Sequence, residues 1–280
     1  MNLSRPARLR AGILMSGGFF GGAFYRAFGA LLGLVCTLVT LAGCATSHSV
    51  TTLQDGVTVH TFRRDYTNAH VVSRGDAFFM VDSRLESNAP ALADDMRGHG
   101  FDPARLRAII LTHGHSDHAG GATWFHREFG TRVIAGAADV PILAAGANDP
   151  LCPTSDRARD RLASDQAARF TPSAPDVTIG TEVALDGLVG FPGTVVPMPG
   201  HTAGSLVVTI PGAAFVGDLF RGAIVGSSAE VHFYMCDLEA NRRDINALLA
   251  RTAGPAATTF FTGHFGPLSR NAVAARFAAP

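Results

Sequence analysis

Apolar positions in this chain fall into short runs closed by Gly, Pro or Asp, and their period changes from two to about four along the sequence. Val57-Thr58-Val59-His60 alternates as a strand, and residues 69–73 and 77–81 are apolar runs on either side of Arg74-Gly75-Asp76, a hairpin-turn composition; Asp82 closes the second run. Pro90 and Gly100 bracket a helix over 91–99 with Leu92 and Met96 on one face, and His99 in its last turn suits the negative end of the helix dipole. A strand over 107–111, a polar loop, a helix over 122–129 that packs Trp124, Phe125 and Phe129 with His126 solvated, and a strand over 132–135 make a β-α-β rhythm. From 148 to 173 the pattern lapses into Pro, Asp and Arg, which reads as a mobile flap or else an exposed helix over 155–170. Strands follow near 177–179, 182–185 and 194–198, then a hairpin of 206–210 and 213–216 across Pro211-Gly212. A helix over 238–251, capped by Asp237, is expected to bury Leu238, Ile245, Leu248 and Leu249, and 258–262 is the final strand. His60 and His70 read as strand residues without a catalytic part.

Composition narrows the chemistry. With 280 residues, 47% of them hydrophobic, the chain can bury one large α/β core. Formal charge is zero and no run of like charge appears, which argues against a nucleic-acid partner. All 23 basic residues are arginine, so an anionic group must be held by Arg, backbone amides or metal, and a lysine Schiff base is excluded.

The amino terminus reads as an address. Arg5, Arg8, Arg10 and Arg26 precede an apolar segment over 27–39, shorter than the ~20 residues that a membrane-spanning helix needs, which meets Leu41-Ala42-Gly43-Cys44. That tetrapeptide resembles the lipobox of bacterial lipoproteins. It implies a signal peptide over 1–43, lipidation at Cys44, a Ser/Thr-rich tether over 44–54 and a folded domain over 55–280, anchored in the cell envelope and facing the periplasm. Cys36 would be removed and Cys44 lipidated, leaving Cys152 and Cys236 to pair or to stay buried as thiols; the unpaired reading is preferred for a domain of this size.

The chemistry concentrates in His113-Gly114-His115-Ser116-Asp117-His118, where four potential metal ligands fall within six residues directly after a strand. Alternate imidazoles can turn the same way off an extended strand end, and neutral imidazole is a preferred zinc ligand. A His-rich loop is often only a solvated turn, but further donors recur just past other strands: His201, Asp218 and His264. Seven donors divide between two metals with one carboxylate shared.

These elements resemble the metallo-β-lactamase superfamily, whose H-x-H-x-D-H motif stands here at His113 to His118, its G-H-T-x-G-S element at Gly200 to Ser205, its G-D at Gly217-Asp218 and its terminal G-H at Gly263-His264. The resemblance implies an αββα sandwich, with two mixed sheets face to face and helices outside. It also implies that His113, His115 and His201 bind one divalent metal ion, that Asp117, His118 and His264 bind a second, and that Asp218 bridges them. Zinc is the usual occupant, while the N/O donor set also suits iron or manganese. An aspartate at 218 resembles the glyoxalase II and lactonase branch, although the chain ends soon after His264 and lacks a glutathione-binding helical domain. The implied activity is hydrolysis of a small ester, thioester or lactone by a metal-bridging hydroxide, with Asp117 orienting the nucleophile. The alternatives are a β-lactam hydrolase, disfavoured by Asp218, and a non-catalytic metal-binding lipoprotein. His232, Tyr234 and Arg221 are possible substrate contacts, with Tyr66 and Asn68 weaker candidates from an early loop.

Overall fold

The central strands are apolar on both faces, and the computed structural model, which describes residues 46–254 and 258–278, shows what covers each face. Seven strands form the first sheet, in the order β1 (Thr46–Thr52), β2 (Val57–Arg64), β3 (Thr67–Arg74), β4 (Ala77–Val81), β5 (Ala108–Ile110), β6 (Arg132–Gly136) and β7 (Val177–Ile179). Pairing is antiparallel from β1 to β4 and parallel from β4 to β7. The second sheet runs β15 (Leu268–Ser269), β14 (Thr259–Thr262), β11 (Ala213–Gly217), β10 (Leu206–Ile210), β9 (Thr194–Pro197) and β8 (Val183–Ala184), with β11 and β14 parallel and the other neighbours antiparallel.

Period-two alternation sorts side chains into layers. Phe79 and Val81 of β4, Ile110 of β5, Val208 of β10 and Phe215 of β11 meet between the sheets. Phe78, Met80 and Ile109 point the other way, onto α1 (Ala89–Gly98) and α3 (Ala122–Phe129), where Leu92, Met96 and Phe125 are buried. On the far side Val207, Ala214 and Phe260 pack against Ile245 and Leu248 of α7 (Leu238–Arg251) and Val273 of α8 (Arg270–Phe277). Helix, sheet, sheet, helix is the αββα sandwich expected from the sequence. Asp237 caps α7 by accepting from the amides of Glu239 and Ala240.

Four expectations need correction. Residues 46–52, assigned to a tether over 44–54, form edge strand β1 in antiparallel register with residues 58–64 of β2; the polar, β-branched segment satisfies its backbone there, and His48 packs on His60, Phe62 and His99. Leu238, expected to be buried, is 54% exposed, because it opens α7 before the helix turns its apolar face to the sheet. Of the two readings of 148–173 the exposed helix holds in place of the flap: Ser155 caps α5 (Asp156–Gln166). Cys152 and Cys236, read as unpaired, form a disulfide with Cα atoms 4.9 Å apart across 84 residues of sequence. At a sequence separation of 84, periodicity gave no means of bringing the two cysteines together. The signal peptide over 1–43 and the lipidation at Cys44 lie outside the described residues.

Candidate metal centre

Every predicted donor follows the carboxyl end of a strand, and the sandwich brings these ends to one edge. β5 delivers His113 and His115, and the short helix α2 (Ser116–Ala119) carries Asp117 and His118. β9 delivers His201, β11 Asp218 and β14 His264. A register shift between Phe215 and Gly217 in the β11–β14 pairing, with Gly217 at φ +50°, turns the chain so that Asp218 faces inward. Gly263 has no room for a side chain, because a Cβ there would collide with Asp218 Oδ1 and His118 Cε1.

All seven converge. His113, His115 and His201 form one group of potential ligands and Asp117, His118 and His264 another; His113, His118 and Asp218 link the two. Asp218 Oδ2 lies 3.3 Å from the Nε2 atoms of His118 and His264, and 3.8 Å from those of His113 and His201. His201 Nε2 and His115 Nδ1 stand 3.1 Å apart, and the Nε2 atoms of His118 and His264 3.4 Å. Two ligands each ~2.1 Å from one ion are about 3.0 Å apart at a right angle and about 3.4 Å apart at a tetrahedral angle, so the separations of 3.1 to 3.4 Å suit donors that share a cation. His113 Nε2 and Asp218 Oδ1 are buried with no aligned hydrogen-bond partner, a cost that ligation would remove. The residues therefore fit a pair of divalent cations.

The outward nitrogens are anchored. His118 Nδ1 is 2.9 Å from Asp82, His264 Nδ1 is 3.0 Å from the Tyr66 carbonyl, His113 Nδ1 is 3.1 Å from Thr112 Oγ1, and His115 Nε2 is 2.6 Å from Asp149. An imidazole that donates on one side presents a lone pair on the other. Asp82 also accepts from the Thr112 amide and hydroxyl. Asp139, fully buried, accepts from the amides of Gly114 and Gly204 and from Thr202 Oγ1, locking the first His loop to the loop of His201. Sequence reasoning passed over Asp82 and Asp139. Yet both stand just past an apolar strand, β4 and β6 respectively, the same position that singled out the ligands.

Electrostatics reflect the crowding of unlike charges. Burial disfavours the carboxylate of Asp117, but His118 and His264 outweigh it and hold the pKa below the ordinary carboxylate range; Asp218 is depressed likewise by His118, His232 and His264. Burial would lower His264, yet Asp218 and Asp117 push it up to about 10, and Asp218, Asp117 and Asp82 raise His118. His113 and His201 are driven well below their usual value by burial and by neighbouring imidazoles. Without metal His118 and His264 therefore retain protons, whereas His113 and His201 are neutral and ready to coordinate.

A cavity of ≈ 260 Å³ opens over Asp117, Asp218, His232 and His264. Its walls include Tyr66, Leu151, Ile224 and Phe233, with Arg157 and Arg161 of α5 at one side. Of the possible substrate contacts, His232 and Tyr234 line this cavity. Arg221 does not: its guanidinium stacks over Phe233 at 4.2 Å and donates to the Gly222 carbonyl. Asn68 is buried and donates to the carbonyls of Thr262 and Phe265, which makes it a support for the His264 loop.

Residues 62–264 match the profile of the metallo-beta-lactamase superfamily, and the chain belongs to that family. The hydroxyacylglutathione hydrolase of Anaeromyxobacter dehalogenans is 30% identical over 158 residues, 56% of this chain and 48% of that protein. The chain thus spans about half the length of the curated relatives it matches. Among solved structures, a metallo-β-lactamase with a HARLDQ motif from Cronobacter sakazakii aligns with a TM-score of 0.56 at 21% identity over 79% of each chain. BJP-1, a subclass B3 metallo-β-lactamase of Bradyrhizobium japonicum, aligns at 0.53 and 18%, also over 79% of each chain. At these identities the structural likeness concerns the fold alone.

Proposed function

We propose that the protein is a dinuclear metal-dependent hydrolase of a small ester, thioester or lactone. The observation that carries this reading is Asp218 Oδ2, which lies within 3.8 Å of imidazole nitrogens from both triads and so stands where a bridging carboxylate oxygen belongs. His113, His115 and His201 would hold one ion and Asp117, His118 and His264 the other. Bound divalent ions would polarise the scissile carbonyl and make water acidic enough to attack at neutral pH.

The protein's own groups supply the rest. Asp117 stays ionised beside His118 and His264, partly exposed to the cavity and within 3.4 Å of the Thr67 hydroxyl, so it can accept a hydrogen bond from a water and orient it. Tyr66, Leu151 and Phe233 exclude bulk solvent around an apolar acyl group. The likeness to hydroxyacylglutathione hydrolases, named for thioester chemistry, favours thioesters among the candidates.

The test is a screen of purified protein against thioesters, lactones, aryl esters and nitrocefin, with metal analysis of the same sample. Turnover of one of the first three classes with two equivalents of metal is expected. Nitrocefin as the only substrate would instead make the protein a β-lactam hydrolase, and metal binding without turnover of any class would make it a non-catalytic metal-binding protein.

We further infer export and lipid anchoring at Cys44. The disulfide Cys152–Cys236 supports an oxidising compartment. Partition into detergent that is lost in Cys44→Ser is the expected result, and unchanged partition would refute the anchor.

A further inference from the structure

His232 lies outside the seven donors that the family motifs pick out, on the segment between the ribbon of β12 (Arg221–Gly222) and β13 (Ala229–Glu230) and helix α7. It is 3% exposed, with its ring perpendicular to His201 at 5.0 Å and stacked on His264 at 5.2 Å. We propose that His232 is an eighth metal donor, acting through Nε2 on the ion shared by His201 and Asp218; this rests on the dinuclear reading above.

Three observations carry the inference. His201, Asp218 and His232 offer ligand atoms that all lie within 4.8 Å of one another, the same closeness that groups the two triads. His232 Nε2 is 3.0 Å from Asp218 Oδ2, yet no hydrogen bond aligns there. Nitrogen and oxygen about 3.0 Å apart without a shared proton are what two ligands at a right angle on one ion present, whereas a simple imidazole–carboxylate hydrogen bond would point N–H at the oxygen. The outer nitrogen is anchored: Nδ1 lies 3.2 Å from the Tyr234 carbonyl and 3.3 Å from its amide, which fixes the ring with Nε2 turned onto Asp218. The backbone at this point is held as well, since Thr154 Oγ1 donates to the His232 carbonyl at 2.7 Å.

The consequence is a more crowded ion. With His113, His115, His201 and Asp218 already facing it, a further imidazole raises the coordination number beyond the four that structural zinc prefers, towards ions that take five or six N/O ligands, such as iron or manganese.

The test uses the full chain stripped of metal and titrated with cobalt(II) alone. Parental protein should bind two cobalt ions. His232→Ala and His232→Gln should weaken one of the two by about 10- to 100-fold, the range seen when a group that fixes a metal site is lost. The same variants should intensify the visible d–d absorption as coordination number falls, while His264→Ala weakens the other ion. Unchanged affinity and an unchanged cobalt spectrum in both His232 variants would overturn the proposal; if KM alone then rises, His232 is a substrate contact. Fewer than two cobalt ions in the parental protein would sink the dinuclear reading first, and this inference with it. Thermal melts of the metal-free variants separate loss of ligation from loss of fold.

Discussion

The floor and the roof of the cavity are built by different physics. The floor consists of buried segments at strand ends, its donors fixed by the sheet behind them and several of them by a second hydrogen bond, as with His118 on Asp82 and His264 on Tyr66. The roof is α5, polar and largely exposed, and residues 233–236, tied to one another by cross-links between the two segments. Tyr234 donates to Asp165 at 2.6 Å, Thr154 binds the carbonyls of His232 and Phe233, and Cys152 is joined to Cys236. A floor of this kind should fail as a unit when one member is removed, whereas the roof should loosen by degrees.

The sharpest test of the floor is Asp218→Ala. It removes the carboxylate shared by both groups and leaves five imidazoles facing one another, so both metal content and hydrolysis should collapse, turnover by more than about 1,000-fold. Gly263→Ala should do the same without replacing a ligand, because its Cβ would occupy the space of Asp218 and His118. Normal metal content in Gly263→Ala would show that the floor yields more easily than its packing implies.

Asp82→Asn should be milder. The amide can still accept from Thr112, but it no longer offers His118 Nδ1 a charged partner, and metal affinity should fall by about 10- to 100-fold with the fold intact. Isothermal titration with zinc reads this directly, and an unchanged affinity would remove Asp82 from the site.

Next in size is the effect of pH. In the metal-free protein His264 holds its proton up to about pH 10, far above an unfolded histidine. That contribution to apo stability is present below the unfolded pKa and is lost as pH rises through about 10. Metal binding must expel the same proton, so apparent metal affinity should move the opposite way, strengthening about tenfold for each pH unit over the range where His264 is the group displaced. Affinity that is flat with pH would mean that His264 enters the metal-free site already neutral.

The contrast between floor and roof also explains what could be read from the sequence. Strands such as Leu206–Ile210 and helices such as Ala122–Phe129 were plain because both faces of the strands, and one face of each helix, must be apolar to sit in the sandwich. The seven donors were plain because each follows such a run. Edge strand β1 was not, since a strand with one paired neighbour and an exposed outer face needs no hydrophobic run and looks like a tether. The roof left no periodic trace either. Its order comes from cross-links between residues about 70 to 85 positions apart, of which Tyr234–Asp165 and Cys152–Cys236 are the chief members. His232 fell between the two cases, recognisable as a polar residue near the site but not as one whose free nitrogen turns onto Asp218.

Removal of the disulfide should therefore have the smallest effect on the chemistry. In a Cys152→Ala/Cys236→Ala double variant, the hydrogen bonds of Thr154 and Tyr234 still join the two segments, and the anchors of His118 and His264 are untouched. Closing a loop across 84 residues limits the unfolded chain enough to be worth about 2 to 4 kcal/mol, which should appear as a lower Tm. Metal content and kcat should stay close to parental, while KM rises less than about tenfold as α5 samples more open positions and the wall of Arg157 and Leu151 becomes less well placed. Alanine variants suit this measurement better than chemical reduction, because dithiol reductants compete for the metal itself. A large fall in metal content would show that the disulfide acts on the floor, through the backbone that carries His232, and the two regions would then be one cooperative unit.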